Sequence, residues 1–202
     1  MYENYKKARD AAWKILIKYG VGKLPVNITE ICVGEGFILL PYTRVSDKLS
    51  MLGLSEHAKK TDGFSMLANR HLLLFYDDTK DWRRQRFTIA HELGHYLNGD
   101  LSEKPTARNT EPSDSDDPCE TSANMTACRI LAPACVLWHM NITDARDIAR
   151  LCDISYSAAK WRAERLKTLM ARDAKYRELY GHGCFLMSPL ERAVYKQFFG
   201  EK

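Results

Sequence analysis

The sequence predicts an α+β fold: a small β-sheet set against a long helix, followed by an all-helical region. Two apolar runs, GFSML and HLLLFY, flank the turn-forming pair Asn69-Arg70 and read as a β-hairpin. The stretch DWRRQRFTIAHELGHYLNG then switches to helical spacing, with Phe87, Ala90, Leu93, Gly94 and Leu97 at its apolar positions. The chain from Ile142 onward reads as helix throughout.

In chain order, a first helix is expected over Tyr5 to Tyr19. Ala8, Ala12, Ile15, Leu16 and Tyr19 form one stripe there, and Gly20 stops it. After Pro25, NITEICVGEGF reads as a short helix closed by glycine, and FILLPY as a strand. Asp77, Asp78 and Thr79 end the hairpin and offer a cap to the long helix, which Asn98-Gly99 closes. Residues 100–118 are polar with an acidic end, and read as a surface loop. The helix CETSANMTACRILA follows and stops near Pro133. ITDARDIARLC, SYSAAKWRAERLKTLMARDAKYRELY and PLERAVYKQFF complete the chain.

The chain has 202 residues, long for one compact domain and short for two full ones. The expected division is a sheet-containing domain over 1–135 and a helical subdomain over 136–202. With 45% hydrophobic and 28% charged residues, the composition excludes wholesale disorder. No apolar run reaches the roughly 18–20 residues of a membrane-spanning helix. The first twenty residues lack the apolar core and cleavage site of a secretory signal, so a cytoplasmic location is expected. The six cysteines form no C-x-x-C pair, and most read as small buried hydrophobes rather than a zinc knuckle or disulfide framework.

The chemistry concentrates in HELGH, His91 to His95. On a helix, histidines four residues apart project from one face, so both imidazoles can reach a single Zn²⁺. Glu92 lies beside that face, where it can take a proton from water activated by the metal. A catalytic zinc wants a third protein ligand. A further histidine after an intervening glycine fails here, because position 98 is Asn98, position 101 is Leu101, and the glycine is out of register at Gly99. The candidates further on are Glu120, Asp100, Asp117, His139 and His182. Glu120 is preferred, since it begins a helix that can lie antiparallel to the first. Asn124, one turn later, reads either as a partner for a ligand or substrate or as a helix-surface amide. Arg84 and Arg86 read as anchors for the acidic loop or as solubilising charges, and Tyr96 as a packing residue.

RQRFTIAHELGHYL, followed about 25 residues later by ETSANMTACRILAP, resembles the ImmA/IrrE family of zinc metallopeptidases. Arg84, Arg86, Phe87, Thr88, Ala90 and HELGH match its first block, and Glu120, Ala123, Asn124, Ala127, Leu131 and Pro133 its second. Ser122 stands where the family usually has a second glutamate, Thr126 replaces a phenylalanine and Ala132 a methionine. The resemblance implies a zincin-like core with His91, His95 and Glu120 as zinc ligands and Glu92 as general base. It also implies a bacterial, phage or mobile-element setting and, as substrate, a helix-turn-helix transcriptional repressor inactivated by cleavage at one site.

The C-terminal region carries its own signal. Between Tyr156 and Arg172, the bases Lys160, Arg162, Arg165, Lys167 and Arg172 face a single acid, Glu164. TDARDIARLCDISYSAAKWRAERL resembles a helix-turn-helix with its turn at Asp153-Ile154-Ser155. Lys160, Arg162 and Arg165 are therefore candidate contacts to DNA or to a protein partner. Two alternatives to the peptidase stand beside it: a DNA-binding regulator, and a protein that binds a repressor without hydrolysis.

Overall fold

In this computed structural model, which describes residues 2–101 and 117–200, a three-stranded sheet of order β1-β3-β2 organises the N-terminal half. β1 (Phe37–Pro41) runs parallel to β3 (His71–Tyr76), and β2 (Gly63–Ala68) pairs antiparallel with β3. Asn69 and Arg70 both take positive φ, 48° and 66°. That is what a two-residue hairpin turn matched to strand twist requires.

The alternation of side chains divides the sheet into two working faces. Phe64 of β2 and Phe75 of β3 stack with ring centroids 4.7 Å apart, and Val45 and Leu49 complete that buried cluster. Val45 and Leu49 belong to α3 (Tyr42–Met51), and Ala58 of α4 (Ser55–Ala58) packs against the same cluster. These two helices were not anticipated, because residues 42–58 mix short polar and apolar stretches without a sustained stripe. The opposite face receives α5 (Trp82–Asn98), where Phe37 meets Tyr96 edge-on at 5.3 Å.

The N-cap of α5 is Asp81, whose carboxylate accepts from Arg83 N at 3.0 Å, and Gly99 closes the helix in the left-handed region at φ 79°. Asp77 and Asp78, expected as caps, bond elsewhere: Asp77 accepts from Thr79, and Asp78 from Thr43. Arg84 pairs with Asp62, whereas Arg86 is buried, so neither is merely a solubilising charge.

The chain divides into two compact units, 1–11 with 27–127, and 12–26 with 128–202. The first holds the sheet, α2 (Ile28–Gly34), α3 to α5 and most of α6 (Pro118–Leu131); the N-terminal helix α1 (Tyr2–Lys18) is shared between the units. The second holds α7 (Ala134–His139), α8 (Ala145–Cys152), α9 (Tyr156–Tyr180) and α10 (Pro189–Phe199). Asp153 takes the left-handed conformation that ends α8, and the Ser155 hydroxyl caps α9 by accepting from Ala158 N at 3.2 Å. Two helices joined by a short turn at 153–155 are therefore present at 145–180.

One expectation about α9 is corrected. Arg162 does not belong to an exposed basic face: it is 5% exposed, and its Nε donates to the Ala132 carbonyl at 2.6 Å. It lies four residues from both Ala158 and Leu166, on the buried stripe of the helix. Lys160 and Arg165 are exposed. Of the cysteines, Cys32, Cys135 and Cys152 are buried, whereas Cys119, next to Glu120, is exposed. Among the described residues no helix is long and apolar enough to cross a membrane.

Candidate metal centre

Two helices build the centre. α5 presents His91 and His95, both fully buried, with their Nε2 atoms 3.0 Å apart and their rings nearly perpendicular at 81°. α6 brings Glu120, 4% exposed, with Oε2 3.3 Å from His91 Nε2 and Oε1 3.3 Å from His95 Nε2. One carboxylate thus spans both imidazole nitrogens. His91, Glu92 and His95 form a group whose ligand atoms lie within 4.8 Å of one another.

The approach of α6 depends on Gly94. A Cβ there would stand 2.8 Å from the Ala123 carbonyl oxygen and 3.1 Å from its Cα. The glycine inside HELGH is what lets the second helix come close enough for Glu120 to reach the histidines.

The far nitrogens of the imidazoles are also addressed. His91 Nδ1–H donates to Asn124 Oδ1 at 2.8 Å, which fixes the ring so that Nε2 faces Glu120. Asn124 is therefore no idle surface amide. His95 Nδ1 is buried and faces Asp100 Oδ2 at 3.6 Å. Of the other candidates, Asp117 accepts from Cys119 N as a helix cap. His139 Nδ1 bonds the Tyr195 hydroxyl, and His182 Nδ1 lies 3.1 Å from the Gly183 carbonyl.

Glu92, 2% exposed, points its carboxylate at β2, where the Ser65 hydroxyl donates to Oε2 at 2.6 Å. Its other oxygen, Oε1, is buried without a hydrogen-bond partner among the described residues. Ser65 was not singled out in the sequence. Its signal was a polar residue inside the apolar run GFSML, at a position whose pleat turns it away from Phe64 and toward α5.

The electrostatics favour a cation. Burial by itself pulls the His91 pKa down, but the Glu120 hydrogen bond and the negative charges of Glu92 and Glu120 outweigh it and raise the value. Burial likewise penalises the Glu120 carboxylate, yet its hydrogen bonds with His91 and His95 hold its pKa down at about 2. The centre draws in positive charge, and two imidazole nitrogens with a converging carboxylate are the donor set of a divalent metal such as zinc.

Residues 50–164 match the IrrE N-terminal-like domain of peptidase family M78. The chain belongs to this family. It is a family of metal-dependent peptidases, and the buried His91-Glu92-His95 group lies inside the matched region. No curated protein matches the chain.

Proposed function

We propose that this M78 chain is a zinc-dependent endopeptidase with a zincin-like core, in which His91, His95 and Glu120 hold the metal and Glu92 is the general base. The observation that carries the division of roles is the unequal environment of the two carboxylates. Glu120 turns both oxygens to the imidazoles. Glu92 ties one oxygen to Ser65 and leaves the other with no partner among the described residues.

Zinc bound there supplies Lewis acidity, polarising a peptide carbonyl and making water more acidic. Glu92 Oε1 takes a proton from the attacking water and delivers it to the departing amine. Asn124 holds the His91 tautomer, and the buried walls of α5 and α6 exclude bulk water.

The substrate we propose is a helix-turn-helix transcriptional repressor, cleaved at one site so that repression is relieved, in the cytoplasm. The resemblance of the two sequence blocks to ImmA/IrrE peptidases supports this choice. The test is incubation with the repressor encoded beside this chain, with and without a chelator, reading fragments by mass. One cut that disappears with chelator and in Glu92→Gln is expected. A Glu92→Gln variant that cuts at the wild-type rate overturns the peptidase reading.

A second reading rests on α8 and α9, whose turn at Asp153 and exposed Lys160 and Arg165 suit a contact to DNA. Charge reversal at Lys160 and Arg165 that abolishes function while Glu92→Gln retains it would favour this reading, or a repressor-binding role without hydrolysis.

A further inference from the structure

We propose that Ser65 is a positioning residue for the proton transfer, fixing the Glu92 carboxylate so that Oε1 alone carries the proton. The proposal rests on the reading of Glu92 as general base. A carboxylate on a helix has a broad terminal torsion and two equivalent oxygens, so an unrestrained Glu92 would present either oxygen over a range of directions. Ser65 removes that freedom. Its hydroxyl donates to Oε2 at 2.6 Å, a charge-assisted bond at the short end of the usual range. Oε1 is left buried and unpaired among the described residues.

The backbone accounts for why the bond forms. Gly63 lies against Thr88, where a Cβ would stand 2.4 Å from Thr88 Cγ2 and 2.8 Å from the Phe75 carbonyl oxygen. Gly63 and Ser65 share one face of β2, and Thr88 and Glu92 are one turn apart on α5. Two residues of strand advance about 6.6 Å and four residues of helix about 6 Å. The close approach at Gly63–Thr88 therefore repeats, one step on, as the Ser65–Glu92 bond. The hairpin is consequently part of the catalytic apparatus, although it supplies no ligand.

Ser65 makes its side-chain hydrogen bond to Glu92 and not to a proposed ligand, which makes the role separable from metal binding. Loss of one hydrogen bond to an ionised group corresponds to about a 10- to 100-fold change. With the neighbouring repressor as substrate, Ser65→Ala should lower kcat by that factor. KM should stay within about twofold, and bound zinc should be unchanged. Ser65→Thr, which keeps the hydroxyl on a strand that favours β-branched residues, should restore most of the rate.

Full activity in Ser65→Ala, or a Ser65→Thr variant as slow as the alanine, overturns the proposal while leaving the peptidase reading intact. Loss of zinc from Ser65→Ala also overturns it, since Ser65 would then be holding the site together. No cleavage by the wild type, or equal cleavage by Glu92→Gln, overturns the peptidase reading and the proposal with it.

Discussion

Glu120 and Asn124 sit one helical turn apart and serve the same histidine from opposite sides, one facing Nε2 and the other Nδ1. The two should fail differently. Glu120→Ala removes a proposed ligand, so purified protein should lose most of its zinc by elemental analysis. Asn124→Ala keeps all three proposed ligands but frees the His91 ring, and chelator competition should show affinity lower by about 10- to 100-fold. His139→Ala should leave zinc content unchanged, because that imidazole is engaged with Tyr195. Another carboxylate contributes to acid stability. Asp173, 4% exposed, accepts from Cys184 N, from Phe185 N at 3.0 Å and from Arg177 Nε at 2.8 Å. Burial raises its pKa, but these bonds outweigh burial and hold the value below the usual carboxylate range. A carboxyl whose folded pKa is depressed adds stability above its unfolded value of about 3.9, and that stability is lost as pH falls through the folded value. Denaturant titrations should therefore show wild type losing its advantage over Asp173→Asn below about pH 4, with the two differing by about 1–3 kcal/mol near neutrality.

At the level of elements, the centre depends on how closely backbones approach, and Gly94 tests this directly. A Cβ at that position meets the backbone of Ala123 rather than the yielding end of a side chain. Gly94→Ala should push α6 outward despite the better helix propensity of alanine. Both Glu120 and Asn124 should then be displaced, weakening zinc binding and lowering stability by about 1–3 kcal/mol in thermal or denaturant melts. A variant with wild-type zinc affinity would show that α6 is not fixed through this contact. The same residue shows what the sequence could convey. HELGH and the hairpin were legible because each has a strong local period, and the Asn69-Arg70 turn was legible from its residue types. Glu120 was legible as a carboxylate at the start of the next helix. What Gly94 does was not, because a close helix crossing joins positions 29 residues apart and leaves no periodic trace. Ser65 was hidden for the same reason: its partner lies 27 residues away on another element. The short helices α3, α4 and α7 also escaped, being held by packing on the sheet or within the helical unit rather than by a stripe or side-chain caps.

Across the whole molecule, the formal charge of +4 invites the view that α9 carries an electrostatic surface, since its bases outnumber its acids between Tyr156 and Arg172. The fold divides those bases by role. Lys160 and Arg165 face outward, whereas burial, reinforced by the nearby Arg129 charge, pushes the Arg162 guanidinium down to about 10. At neutral pH Arg162 remains protonated, so a buried charge is held by its bond to the Ala132 carbonyl rather than offered to a partner. Arg162→Ala leaves that carbonyl without its donor and opens a void among Ala159, Ala163 and Leu166. It should therefore cost about 2–4 kcal/mol in denaturant unfolding. Lys160→Ala and Arg165→Ala, at exposed positions, should stay within about 0.5 kcal/mol of wild type. Any assay of DNA or partner binding is thus interpretable only with the outer pair. If Lys160→Glu with Arg165→Glu leaves the salt-dependent retention on duplex DNA unchanged, those two residues have no nucleic-acid role. A loss seen with Arg162→Ala alone would report an unfolded helical unit.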